Sequence, residues 1–212
     1  MFSKLIIDFK PVSPKHGDLF LGRDPVKVAK MLEKKGVLGL SVVTESENFG
    51  GSLDLLRAIT KAVSLPVLRK DFIKTENDLY ETLECGAKYI LLICATVKNI
   101  ESLYEKALSI GLKPVVEIHD EKEMELAKKL NARIIGINNK DITCLEKDSG
   151  TVFHTKELIT SAPKDAFIIS ESGIQSQEDI EKALGYGANA VLIGTAFWQN
   201  KLANLCEDNY NQ

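Results

Sequence analysis

The chain has 212 residues, of which 44% are hydrophobic and 27% charged; this is the make-up of a soluble globular protein, one large domain or two small ones by length. Its net charge of −3 excludes nucleic acid and anionic membrane surfaces as general electrostatic partners, and no apolar run approaches the roughly 18 residues of a membrane-spanning helix. Cys85, Cys94, Cys144 and Cys206 are scattered without a C-x-x-C pair, and His16, His119 and His154 do not fall at metal-ligand spacing near them; the pattern predicts reduced thiols in a cytoplasmic protein, no structural metal and no signal peptide.

Leu5 to Phe9 reads as a first β-strand, followed by a loop, Lys10 to Gly17, punctuated by proline and glycine. Asp24-Pro25 is an N-cap with proline at the first helical position, opening a helix that stops near Gly36. Leu38 to Val43 is the second strand, and Ser52 caps a helix carrying Leu55, Leu56, Ile59 and Ala62. A proline then opens the third strand, Pro66 to Leu68, which runs into Arg69-Lys70-Asp71. Further helices are predicted over Thr75 to Leu83, Val97 to Ile110, Glu121 to Leu130, Lys156 to Thr160, Ser176 to Tyr186 and Phe197 to Cys206. The strands between them are Tyr89 to Ile93, Pro114 to Ile118, Ala132 to Asn138, Ala166 to Ser170 and Ala190 to Ile193.

Eight continuous apolar strands alternating with helices call for a parallel sheet covered on its outer side. Right-handed crossovers leave an open doubly wound sheet or a closed barrel. No G-x-G-x-x-G follows the first strand, and the count of eight selects one α/β domain over residues 1–212, a (β/α)8 TIM barrel.

Such barrels build their sites from the C-terminal strand ends. Here those ends carry Asp8 and Lys10, Glu45, Lys70, Glu117, Asn138, Ser170 to Gly173, and Gly194-Thr195. Three consecutive charges after an apolar strand are costly in a core, so Arg69-Lys70-Asp71 are expected to face a solvated pocket or form a solvated loop. Asp8 and Lys10 are two apart and project to one side, as do Glu117 and His119. Ser172-Gly173 and Gly194-Thr195 supply free amides where barrels commonly hold phosphate, without a basic residue in either turn, or are two ordinary glycine turns. Phe49 and Phe72 fit a core as well as a ligand platform, though both lie in site-facing loops. Asn138-Asn139 also fits a turn, His119-Asp120 a helix start, and His16 a solvated loop.

In the order Lys10 to Pro14, Phe49 to Leu53, Leu65 to Ile73, Val116 to Asp120, Ile135 to Asp141, Ser170 to Ile174 and Leu192 to Thr195, these motifs resemble indole-3-glycerol phosphate synthase, a barrel enzyme of tryptophan biosynthesis. The resemblance implies a carboxy-lyase that closes the indole ring of 1-(o-carboxyphenylamino)-1-deoxyribulose 5-phosphate with loss of carbon dioxide and water, and that needs no cofactor. It implies Lys70 as general acid, Glu117 as its proton-handling partner, and Lys10 and Asp8 as further catalytic groups. Asn138, Lys140, Glu171, Phe49 and Phe72 then bind substrate, and Ser13, Ser172, Gly173, Gly194 and Thr195 the phosphate. Its partner is a phosphorylated small molecule, with a monomer, a weak homo-oligomer or a partner subunit all open. The family has glutamate at Asp8, arginine at Lys140, serine at Lys15 and an extension before the first strand; Cys144 to His154 departs from its pattern. A second reading, a phosphosugar-binding barrel with weak or no synthase activity, stands beside the first. The match at Lys70 and Glu117 weighs against a phosphoribosyl isomerase.

Overall fold

The computed structural model describes residues 2–140 and 150–202. Eight parallel strands close on one another: β1 (Leu5–Phe9), β2 (Gly39–Val43), β3 (Val67–Lys70), β4 (Tyr89–Ile93), β5 (Lys113–Ile118), β6 (Ile134–Asn138), β7 (Phe167–Glu171) and β8 (Ala190–Ile193). Each strand pairs with its sequence neighbours, and β1 closes the ring by pairing with both β2 and β8, with Ile6 opposite Gly39 and Leu5 opposite Val191. The helices are α1 (Pro25–Lys35), α2 (Leu53–Ala62), α3 (Glu76–Glu84), α4 (Ile100–Ser109), α5 (Glu121–Lys129), α6 (Phe153–Leu158), α7 (Gln177–Gly185) and α8 (Thr195–Trp198). The expected (β/α)8 barrel is therefore the fold.

Local chemistry sets where these helices begin. Asp24 accepts from the amides of Val26 and Lys27 ahead of Pro25, Ser52 from Leu55, and Asp120 from Glu123. Thr75 with Asp78, and Ser176 with Asp179, form reciprocal capping boxes. Each such cap satisfies an amide that helix geometry leaves orphaned and is worth about 1 kcal/mol. Where no cap exists the sequence misjudged the boundary. The fourth helix starts at Ile100 rather than Val97, because Asn99 makes no side-chain cap and Val97 belongs to a turn on Ile93. The sixth starts at Phe153 rather than Lys156 and passes into a 3₁₀ turn over Ile159–Ser161. The last starts at Thr195, two residues early, and the expected part beyond Leu202 lies outside the described residues, as do Asp141, Cys144 and Cys206. The loop after β1 also contains an unexpected two-residue ribbon, Val12–Ser13 against Gly17–Asp18.

Alternation along the strands divides the apolar residues between two cores. Ile6, Leu68, Leu91, Val115, Ile169 and Leu192 point into the barrel. Their strand neighbours, such as Ile7, Leu40, Ile90, Val116 and Ile168, pack outward against the helices. Arg69 also faces outward. It is buried and donates to the Asp78 carbonyl at 2.8 Å and Thr44 Oγ1 at 3.0 Å, so it ties β3 to α3. At the β1–β8 seam Trp198 is fully buried against the rings of Phe9, Phe20 and Phe197 and donates Nε1–H to the Asp8 carbonyl at 2.7 Å. Of the cysteines described, Cys85 is buried and Cys94 half-buried, and both are free thiols.

Candidate active site

Barrel interiors are filled by layers of four side chains from alternate strands. The uppermost layer here is Asp8 from β1, Lys70 from β3, Glu117 from β5 and Glu171 from β7, all buried. Two residues earlier on the same strands stand Ile6, Leu68, Val115 and Ile169. Gly136 of β6 leaves the space in which the charged layer fits: a Cβ at that position would meet Glu171 Oε1 at 2.2 Å and Val115 Cγ1 at 3.6 Å.

Lys70 Nζ is the centre of this layer. It lies 2.9 Å from Glu117 Oε2 and 2.9 Å from Glu171 Oε2. Asn138 donates to Glu117 Oε1 at 3.0 Å and accepts from the Lys140 amide. Of the two settings expected for Lys70, a solvated pocket or a solvated loop, it has the first: it borders the pocket, but its side chain is only 11% exposed and is held between two carboxylates. Burial by itself lowers the Lys70 pKa, but Glu117, Glu171 and Asp8 overcome this and hold it well above the usual lysine value. Glu171 is pushed up to about 7, chiefly by burial, against the pull of Lys70 and with the push of Glu117 and Asp8. Three carboxylates around one ammonium leave one carboxylate titrating near neutrality, as like charges in a shared site require.

Two hollows flank Lys10 and Lys70. The polar one is bordered by Asp8, Ser13, Lys140, Ser172, Gly173, Gly194 and Thr195, which brings together every residue expected on the phosphate side. Ser172 and Gly173 hold φ of 63° and 69°. The left-handed conformation costs serine about 1–3 kcal/mol, and at Gly173 a Cβ would also meet the Gly150 carbonyl at 2.7 Å. Asn139 secures this turn by donating to Ser170 Oγ and to the carbonyls of Glu171 and Ser172, each at 3.0 Å. Lys15 and His16, at the tip of the ribbon after β1, border the same hollow, so basic residues do reach it, from a loop rather than from the glycine turns. His16 is pulled below the usual histidine pKa by burial and by Lys201, Lys15, Lys140 and Lys10.

The other hollow is apolar and is lined by Val43, Phe49, Phe72, Leu91 and Ile93. Lys10 Nζ stands 5.4 Å from the Phe49 ring centre, within cation–π range. Glu45 borders it too, but its carboxylate is occupied by the amides of Glu47, Asn48 and Phe49, so it shapes the loop that presents Phe49. His119-Asp120 fits a helix start in the sequence. Asp120 makes that cap, while the His119 ring reaches back to Glu117 at 3.4 Å. The i, i+2 spacing of Glu117 and His119 was the signal for it.

Among the described residues no group of histidine, cysteine, aspartate and glutamate could hold a metal ion, and no helix is long and apolar enough to cross a membrane.

In comparisons with known proteins, the family model for indole-3-glycerol phosphate synthase matches residues 2–206. The indole-3-glycerol phosphate synthase of Pyrococcus furiosus is 43% identical over 193 residues, covering 91% of this chain and 84% of that one. That of Thermococcus kodakarensis is 41% identical over 193 residues, 91% and 85% of the two chains. That of Clostridium acetobutylicum is 38% identical over 197 residues, 92% and 74%. Among solved structures, an N-acetylmannosamine-6-phosphate 2-epimerase from Clostridium perfringens superposes with a TM-score of 0.71 at 17% identity, over 91% of this chain and 86% of that one; it shares the fold. With a family model spanning nearly the whole chain and relatives near 40% identity over nine-tenths of it, this chain belongs to the indole-3-glycerol phosphate synthase family.

Proposed function

We propose that the protein is a carboxy-lyase of tryptophan biosynthesis that closes the indole ring of 1-(o-carboxyphenylamino)-1-deoxyribulose 5-phosphate, with Lys70 as its general acid. The observation that carries this assignment is the position of Lys70 Nζ, 2.9 Å from two buried carboxylates and on the border between a polar and an apolar hollow. A substrate with a phosphate at one end and an arene at the other fits across that border, its ketone at the lysine.

In this assignment the Lys70 ammonium donates a proton to the ketone oxygen as the arene carbon bearing the carboxylate attacks the ketone carbon. Loss of carbon dioxide restores the aromatic ring. Dehydration then needs an acid at the departing hydroxyl and a base for a ring proton. Lys10 serves the first, assisted by Asp8, and Glu117 the second, with Lys70 re-protonated through its carboxylate partners. Phe49 and Phe72 hold the arene, Lys10 and Lys140 engage its carboxylate, and Asn138 and Glu171 orient the sugar chain. Ser13 and the amides at Ser172, Gly173, Gly194 and Thr195 bind phosphate, reinforced by the charges of Lys15 and Lys140. The substrate's own groups supply the chemistry, so no cofactor is invoked. We take the enzyme to act in the cytoplasm as a monomer or weak homo-oligomer.

Incubation of the purified protein with the named substrate, followed by indole fluorescence, tests the assignment. Product formation abolished by Lys70→Met is the expected result. A parent protein that binds the substrate without forming product overturns it in favour of a binding barrel.

A further inference from the structure

Glu117 receives more than Lys70 and Asn138. The Nε2 of His119 is buried and faces Glu117 Oε1 at 3.4 Å, while Nδ1 lies 3.2 Å from Glu123 Oε2. The Glu123 carboxylate also accepts the His119 backbone N–H at 2.6 Å, and Asp120, capping the same helix, accepts the Glu123 amide at 2.8 Å. From the next layer, His154 Nε2 meets the His119 carbonyl at 2.6 Å. The ring is therefore fixed at Nδ1 and through its backbone, while its buried Nε2 makes no hydrogen bond and faces Glu117 within ion-pair distance, so that Glu117, His119 and Glu123 form a row from the barrel interior to the first turn of α5.

We propose that His119 is a positioning residue for the reaction, holding the Glu117 carboxylate oriented toward Lys70, and that Glu123 in turn orients the His119 ring. The inference rests on the assignment of Glu117 as a proton-handling group. The physical logic is that of a base fixed by an imidazole whose far nitrogen is itself held by a carboxylate. Glu117 Oε2 is taken by Lys70, and Oε1 accepts from Asn138 with His119 Nε2 standing alongside at 3.4 Å. When protonated, His119 is a second cation at this carboxylate, and unlike Lys70 it has no place in either hollow flanking the general acid.

The groups acting on the imidazole are Glu123 on α5, Glu117 from β5 and Glu171 from β7; the Cys94 thiol just after β4 has Glu123, Glu117 and Asp120 as charged neighbours, and His154 on α6 meets the His119 carbonyl. Burial lowers the His119 pKa, but the Glu123 hydrogen bond and the charges of Glu117, Glu123 and Glu171 outweigh it and raise the net value. The Cys94 thiol, pushed up to about 12 mainly by burial, is neutral and adds no charge. Once protonated, the His119 imidazolium opposes proton uptake by Glu171, whose charge in turn raises the His119 pKa.

The test is the pH dependence of kcat and KM for the parent, His119→Gln and Glu123→Gln on the ring-closure substrate. His119→Gln should lower kcat by about 10-fold with KM nearly unchanged. It should also move the acid limb of the profile to higher pH by about one unit, because a cation facing the carboxylates is gone. Glu123→Gln, which leaves the imidazole in place, should move the same limb in the same direction by less. It remains informative if His119→Gln folds poorly. A lower kcat in either variant with an unmoved acid limb, or a loss that tracks only the folded fraction, overturns the inference and reduces His119 to packing. Retained turnover in Lys70→Met and Glu117→Gln overturns the site assignment itself; abolished turnover there with an unmoved profile in the His119 and Glu123 variants overturns this inference alone.

Discussion

Ile6, Leu68, Val115 and Ile169 form one ring inside the barrel, and Asp8, Lys70, Glu117 and Glu171 form another two residues further along the same strands. A two-residue step along a strand is about 7 Å. Over that distance the interior passes from an apolar plug to four ionisable side chains, with no change in strand count or direction. The lower ring contributes stability through burial. The upper ring contributes little, because desolvation of its charges consumes most of what pairing returns. A barrel can therefore carry reactive groups at one end while the other end supplies the folding free energy.

Lys70→Met tests the upper ring most severely. Turnover should fall 10²–10⁴-fold, as for loss of a general acid, in a steady-state assay. The burial of Lys70 adds a cost in stability: two carboxylates lose their cation, so unfolding at pH 8 should be easier by on the order of 3 kcal/mol. That loss should shrink at lower pH, where Glu171 accepts a proton.

Leu68→Ala, one step below on the same face, should do the reverse. A fall of about 2–5 kcal/mol in denaturant-measured stability is expected, with kcat per folded molecule close to the parent's. A comparable loss of kcat would show that the two rings are not separable.

Glu171→Gln separates the rings by pH. The folded value of about 7 lies above the unfolded value of 4.5, so between these pH values the folded protein holds the extra proton and this group's contribution to stability declines as pH rises. Glutamine lacks that proton equilibrium. The stability of the parent relative to the variant should fall across that window, by up to about 3 kcal/mol for a difference of this size; a flat difference in melting temperature would contradict it.

Gly194→Val should raise KM about 10-fold or more through the phosphate end, since even a Cβ there would stand 3.3 Å from Asp8 Oδ2 and valine needs more room. Unchanged phosphate affinity in a titration would count decisively against that half of the site. The smallest effect is a gain: Asp8→Glu with Lys140→Arg, restoring the family's residues, should raise kcat/KM by a small factor, chiefly through the longer carboxylate. No gain from an active parent would mean that the pocket has adjusted to its own residues.

The barrel was legible because its signals are local. Continuous apolar strands, and caps such as Asp24, Ser52 and Asp120, need only a few neighbouring residues to be read. The residues that would meet at the mouth were legible from the strand ends. Their pairing was not: Lys70 is 47 positions from Glu117 and 101 from Glu171, and only barrel register makes them neighbours. For the same reason Arg69-Lys70-Asp71 read as one charged run, whereas strand alternation sends Arg69 outward to α3 and Lys70 inward to the carboxylates. Lys15 and His16 escaped because the ribbon that aims them has only two residues on each side.

The seam between β1 and β8 gives the cleft a history as well as a shape. Asp8 and Lys10 belong to the barrel strand made first and its loop, Gly194 and Thr195 follow the barrel strand made last, and Leu5 finds Val191 only after all the strands between them have been made. At synthesis rates of roughly 5–20 residues per second, β1 waits on the order of 10–40 s for that partner. During this interval it presents an apolar edge open to wrong pairing. The polar hollow cannot exist in any shorter nascent chain, since one wall is still missing. Trp198, donating to the Asp8 carbonyl from just beyond β8, ties the wall made last to the wall made first.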